Sequence, residues 1–196
     1  MDSTVTRSPK GECSEHARRR ATLVGMAARP GKATRDGLTP SQQRAWVSYM
    51  RVYHRLEYEM NRHLQRDCGL SLGDYTVLNA LDNAPERTAQ LSNLATVIGW
   101  ERSRLSHHLQ RMARRGLVER LQSAEDGRAI DITVTPEGAQ RFRAAVPVHA
   151  AWVRSTVFSD TDHGQEAALA DILAAVYDSV LRRGTLPPPD FGPPAE

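Results

Sequence analysis

LSNLATVIGWERSRLSHHLQRMARRGLVERLQSAEDGRAIDITV, residues 91–134, is the stretch from which the rest of the chain can be read. Leu91, Leu94, Ala95 and Ile98 recur at helical spacing, as on a short amphipathic helix. Ala95 is small enough for two helices to cross closely. Gly99, four residues on, is free to take the positive φ that a tight turn between them needs. A second helix is expected from Arg102 to Arg115, with Leu105, Leu109 and Met112 on one face. Arg104, His108, Arg111 and Arg115 form another stripe, at spacings of four, three and four. The apolar stripe suits a core and the polar one an anion. Gly116 stands where a helix-ending glycine is expected.

Two short strand-like runs follow, Val118–Gln122 and Ala129–Val134, on either side of SAEDGR, residues 123–128. Ile130, Ile132 and Val134 have the period of a half-buried strand, and Asp126-Gly127 carries hairpin turn chemistry. A helix-turn-helix followed at once by a hairpin is a winged helix. Between Arg87 and Arg120, seven arginines stand against Glu101 and Glu119, a local +5 in a chain that totals +3. Arginines on an exposed helix also serve simply to keep it soluble. Combined with the Ala95/Gly99 turn and the hairpin, they point to DNA: arginine neutralises phosphates, and side chains at the helix start reach base edges in the major groove.

The 196 residues suit one domain with tails, and 40% apolar residues suffice for a core. A mean hydropathy of −0.51 implies much solvated surface. No apolar run approaches the ~20 residues of a membrane span, and no apolar signal-peptide core follows the N-terminal basic residues, so a cytoplasmic protein is expected. Cys13 and Cys68 form no CxxC pair, and no structural disulfide is expected. Only Lys10 and Lys32 accompany 24 arginines, a bias we read as that of a GC-rich genome.

Residues 1–38 lack apolar periodicity, net +4 and include Arg18-Arg19-Arg20; they read as a disordered basic tail. Thr39-Pro40-Ser41-Gln42 is a capping box opening a long helix. Its seam of Trp46, Tyr49, Tyr53, Leu56, Met60 and His63/Leu64 needs a partner along its length. Cys68-Gly69 stops it. Ser71-Leu72-Gly73-Asp74 resembles another capping box, opening a helix with Tyr75, Val77, Leu78 and Leu81, and a turn follows at residues 82–85. Beyond the hairpin, Thr135-Pro136 starts a helix with Phe142, Val146, Val153 and Val157 inward and Pro147 kinking it. Thr161 or Asp162 opens the last helix, striped by Leu169, Ile172, Leu173, Val176, Val180 and Leu181 and ended by Arg182-Arg183 and a glycine cap at Gly184. Residues 185–196 are proline-rich and expected to be disordered. The expected fold is mainly α with a small β-hairpin wing. Domain 39–184 divides into a DNA-binding lobe, 70–134, and dimerisation helices, 39–69 and 136–184.

The chain resembles the MarR family of transcriptional regulators over about Thr39 to Gly184. The resemblance is carried by LSLGDYTVL (70–78), Leu94-Ala95 through GWERSRLS (99–106), RGLVER (115–120), EDGR (125–128) and Val134-Thr135-Pro136 to Gly138, in this order. It implies a homodimeric winged helix bound to double-stranded DNA at an inverted-repeat (palindromic) operator, usually as a repressor and without a cofactor. By position, Ser103, Arg104, Ser106, His107, His108 and Arg111 would meet the groove and phosphates. Arg128 would enter or flank the minor groove, with Asp126 supporting it. Two histidines where relatives often carry Arg or Gln make base preference open to pH. Many members release DNA when a small aromatic or phenolic acid enters a cleft between dimer helices and reader. Trp46, Tyr49, Tyr53 and Tyr75 would line it and Arg55 would pair with a carboxylate, although core aromatics and a solvated arginine explain these residues as well.

Three rivals remain at this level. A thiol redox regulator would use Cys68, which falls at the far end of the first helix rather than early in it, where peroxide-sensing relatives keep theirs. Metal sensing lacks trustworthy ligand spacing among His54, His63, His107, His108 and His149. A winged-helix protein-interaction module is opposed by the basic stripe, since protein interfaces deplete charge at their cores. No Ser/His/Asp arrangement, phosphate-binding glycine loop or metal cluster suggests an enzyme.

Overall fold

The computed structural model describes residues 37–123 and 129–191. The expectations for most of the basic tail, for the hairpin tip with Asp126 and Arg128, and for the last five residues lie outside them. By internal contacts the chain divides into units 1–53 and 54–196, with the boundary inside the first helix, α1 (Pro40–Cys68).

In the first unit, the start of α1 is tied by the reciprocal pair expected of its sequence. The Thr39 amide donates to Gln42 Oε1 at 2.8 Å, and the Gln42 amide to Thr39 Oγ1 at 3.2 Å. Trp46, Tyr49 and Tyr53 then stack in succession, at 5.8 and 6.2 Å between ring centroids, and all three are about half exposed.

The second unit holds the remaining elements. α2 (Leu72–Asp82) opens at Ser71, whose side chain accepts from the Asp74 amide while Asp74 accepts from the Ser71 amide. A 3-10 turn at Pro85–Arg87 leads into β1 (Thr88–Gln90), α3 (Leu91–Ile98), α4 (Arg102–Arg114), β2 (Val118–Gln122), β3 (Ile130–Val134), α5 (Pro136–Thr156) and α6 (His163–Arg183). The hairpin strands fall where alternation placed them, but the sheet has three strands. β1 pairs antiparallel with β3, in the order β1-β3-β2, with Thr88 opposite Thr133 and Val118 opposite Val134. Three residues are too few to show a period of two, which is why β1 escapes sequence reading.

The core of this unit lies between α2, α3, α4 and the sheet. Val77, Leu78, Leu81, Leu94, Leu105, Leu109, Met112, Leu117 and Ile132 are fully buried and form one cluster with Phe142 and Ala145 of α5. Removing such side chains from water at ~25 cal/mol per Å² is the main force that holds α3 and α4 at their turn. Gly99 makes that turn at φ +68°, where a side chain would be strained. A second glycine matters for space. A Cβ on Gly138 would collide with the Leu117 carbonyl, so α5 closes directly onto the start of β2. Thr135 completes the junction: its hydroxyl donates to Gly116 O at 2.6 Å and accepts from the Gly138 amide at 2.9 Å. This contact is the physical content of the RGLVER and Val-Thr-Pro-x-Gly pieces.

Three local expectations are corrected. The inner face of α5 is Ala139, Phe142 and Ala145, whereas Val146 is exposed. Pro147 lies inside this helix. Gly184 ends α6 with an extended φ of −73° instead of a left-handed one. In the proline-rich end, Phe191 is half-buried against the core cluster. α6 buries none of its residues; Leu169, Ile172, Leu173, Val176, Tyr177 and Val180 are all exposed.

Candidate nucleic-acid interface

The interface is built on α4. Leu105, Leu109 and Met112 recur every three or four residues and fix its rotation by burying one face completely. Ser103, Arg104, His107, Gln110 and Arg111 are therefore left exposed, and Ser106 lies half-covered at the edge, where Arg120 Nη2 of β2 reaches its hydroxyl at 3.5 Å.

The outward cations are not free to wander. The Arg104 guanidinium carbon sits 4.2 Å from the centre of the Trp100 ring, a cation–π contact at the first turn of α4. Arg111 Nη2 lies 3.0 Å from His108 Nδ1, one turn back. His108 meets the Trp100 ring edge-on at 5.4 Å between centroids.

The polar stripe expected to face DNA is thus divided. Arg104 and Arg111 point outward, whereas His108 and Arg115 turn toward Asp74 of α2. His108 Nε2 lies 3.1 Å from Asp74 Oδ1, obliquely rather than in line, and Arg115 Nη1 donates to Oδ2 at 2.6 Å. Arg115 Nη2 also reaches the Gly69 carbonyl at 3.0 Å. His108 was assigned to the groove, but its side chain is only 12% exposed and occupies the space left by Gly73, where a Cβ would come within 2.8 Å of the imidazole. The stripe does face an anion, and for half of its members that anion is the protein's own.

Burial alone would push the Asp74 carboxyl up. Contacts from His108, the Ser71 amide and Arg115 more than reverse this and hold it well below the usual carboxylate range. Asp74 is a functional candidate that sequence reading treated only as a cap. Its spacing to Ser71 was legible, but its pairing with a residue 41 positions away was not.

Of the basic residues counted in the sequence, Arg87 pairs with Asp82 at 3.0 Å and Arg115 with Asp74. Arg102, Arg104, Arg111 and Arg114 make no ion pair among the described residues, which leaves the positive field on the outer side of α4.

The residues named for an effector are placed separately. Trp46, Tyr49 and Tyr53 belong to the stacked row of the first unit. In the second, Arg55 is exposed and lies 3.6 Å from Glu59. Tyr75 is half-buried, packed on Phe142 at 5.3 Å and His149 at 4.8 Å between centroids. His63 and Trp152 extend that cluster, stacked at 5.1 Å. Cys68 is half-buried; burial first, and the neighbouring Asp67 charge second, push its thiol up and so diminish the thiolate. Among the described residues, no group of three or more His, Cys, Asp or Glu is placed to hold a metal, and no helix is long and apolar enough to cross a membrane.

The MarR family model matches residues 69–129, from just before α2 to just before β3. The solved structure of Sco3205 from Streptomyces coelicolor, determined in complex with DNA, is 33% identical; the match covers 74% of this chain and 91% of Sco3205, with a TM-score of 0.68. The chain belongs to the MarR family of transcriptional regulators. Another MarR-family regulator of S. coelicolor, AbsC, is 29% identical, with 75% of this chain and 98% of AbsC covered and a TM-score of 0.67. The M. tuberculosis regulator MOSR, also solved with DNA, is 26% identical over 69% of this chain and 96% of its own, with a TM-score of 0.54. No curated protein matches the sequence. The mainly helical fold with its small antiparallel sheet is thus a MarR winged helix.

Proposed function

We propose that this MarR-family regulator is a homodimeric, sequence-specific repressor of an inverted-repeat operator, released by a small aromatic or phenolic effector. The observation that carries the DNA reading is the rotation of α4. Its apolar face is locked inward by Leu105, Leu109 and Met112, and Ser103, Arg104, His107 and Arg111 are presented outward, with no ion pair to Arg104 or Arg111 among the described residues. Arg104 and Arg111 contact phosphate or base edges; Ser103 and His107 read the groove. Arg128, steadied by Asp126, is assigned to the minor groove on the family resemblance alone.

Dimerisation is supported by apolar faces too extensive for a solvated monomer. α6 exposes six large apolar side chains, and Trp46, Tyr49, Val52 and Tyr53 of α1 are equally open. A second copy of the chain covers these faces and sets two recognition helices at the spacing of two half-sites. The effector reading is supported by the aromatic cluster of Tyr75, His63, His149 and Trp152, in which His63 Nε2 and His149 Nδ1 are buried without a hydrogen-bond partner among the described residues. The raised thiol of Cys68 speaks against the redox alternative. The basic outer face of α4 speaks against a module that binds only protein.

Sedimentation of the protein at micromolar concentration, alone and with duplex DNA, tests the assembly. Two chains per particle and two per duplex are expected. A monomer in both states sinks the homodimer.

A further inference from the structure

We infer that Asp74 and His108 are positioning residues for DNA binding: the buried carboxylate sets the imidazole tautomer, and the imidazole in turn holds Arg111 ready for the phosphate backbone. The inference rests on the reading of Arg111 as a DNA contact and adds a role for two residues that do not themselves touch DNA.

The argument is one of donors and acceptors. Neutral imidazole carries one proton, and which nitrogen bears it is decided by the neighbours. At one end of His108, Nε2 lies 3.1 Å from Asp74 Oδ1. A bare Nε2 would set a lone pair against a buried carboxylate; a proton there is attracted to it, even along an oblique line. At the other end, Nδ1 lies 3.0 Å from Arg111 Nη2. A guanidinium has donors only, so Nδ1 has to accept. Both ends therefore demand the same state, with the proton on Nε2 and the lone pair on Nδ1. The opposite tautomer fails at both ends, and an imidazolium would set its second N–H against the guanidinium of Arg111.

The surroundings hold this relay in place. Gly73 leaves the slot for the ring, the Trp100 edge closes one side, and Arg115 and the Ser71 amide take up Asp74 Oδ2, leaving Oδ1 for His108. Arg111 is on the exposed side of α4, where a long side chain has many rotamers to lose on binding. A fixed acceptor one turn back removes part of that loss before DNA arrives.

Two amide substitutions separate the arms. His108→Gln places an amide near the Nε2 position and keeps the Asp74 arm; His108→Asn places one near Nδ1 and keeps the Arg111 arm. Affinity is measured for a fixed mixed-sequence duplex at near-physiological salt, with thermal melting used to confirm folding. His108→Gln, which removes the acceptor for Arg111, is expected to bind roughly tenfold more weakly, about the worth of a hydrogen bond to a charged group, and His108→Asn, which keeps that acceptor, to lose clearly less. Neither is expected to weaken binding further in an Arg111→Ala background. Nitrogen NMR of the wild-type protein reports the tautomer directly, and a protonated Nε2 with a bare Nδ1 is expected. Wild-type affinity in His108→Gln, full additivity with Arg111→Ala, or a proton on Nδ1 overturns the inference. If Arg111→Ala alone leaves affinity unchanged while the Nε2–H tautomer is observed, the DNA role of Arg111 fails, and the inference falls with it for that separate reason.

Discussion

The carboxylate of Asp74, at the first turn of α2, receives the guanidinium of Arg115 at 2.6 Å across 41 residues of chain, from just beyond the end of α4. A buried charge is thereby matched between α2 and the end of α4.

Removing one partner of such a pair leaves the other uncompensated. Asp74→Ala is expected to lower unfolding stability by about 3 kcal/mol in denaturant titration. Because the native carboxyl is held below its unfolded value, its contribution is complete above the ordinary carboxylate pKa of about 4 and is lost as pH falls through the lower native value. The stability gap between wild type and Asp74→Asn should accordingly be constant from pH 5 to 7, roughly one unit or more above that pKa, and narrow below it. A gap that widens on acidification contradicts the assignment.

Leu105 is fully buried on the inner face of α4. Leu105→Ala is expected to cost about 3 kcal/mol, through lost transfer energy and the cavity left behind. Calorimetry checks this; a change below about 1 kcal/mol would mean that the site collapses freely.

Gly138→Ala pushes a methyl group into the Leu117 carbonyl, which is backbone and cannot swing away. The variant should melt well below the wild type, by about 2–3 kcal/mol of overpacking. Wild-type melting would show that α5 does not close on β2 this tightly.

The ring under Arg104 gives a further test. Trp100→Ala removes the cation–π support at 4.2 Å and should weaken duplex binding about threefold, near the 0.5–1 kcal/mol of an exposed contact of this kind. Arg104→Ala should do more, and also reduce the slope of log affinity against log salt by about one. An unchanged slope would place Arg104 away from phosphate.

On α6, Val176→Arg sets a charge in the middle of the exposed apolar stripe. Sedimentation should show a monomer at micromolar concentration, with melting of the isolated chain little altered because the position is already in solvent. A persistent dimer would move the interface elsewhere.

How legible this was depended on range. The Ser71/Asp74 and Thr39/Gln42 boxes and the turn at Gly99 involve neighbours within a few residues, and all were readable as sequence. β1 was not, because Thr88 to Gln90 becomes a strand only by pairing with Asp131 to Thr133. Val146 was placed inward on apolar character alone, whereas small residues, Ala139 and Ala145, let Phe142 define the inner face of α5. His108 shows the same limit at the site. Helical spacing set it in line with Arg104 and Arg111, but a side chain 12% exposed and 3.1 Å from Asp74 is oriented by an element that the spacing does not contain.

The most direct test of sequence-specific reading by α4 is selection of bound duplexes from a random DNA library at near-physiological salt, with Arg104→Ala and Arg111→Ala run in parallel. The account predicts recovery of a single inverted repeat with half-sites about one helical turn apart, and loss of that enrichment in both variants. Weak binding without a shared sequence, unchanged by either substitution, would contradict it.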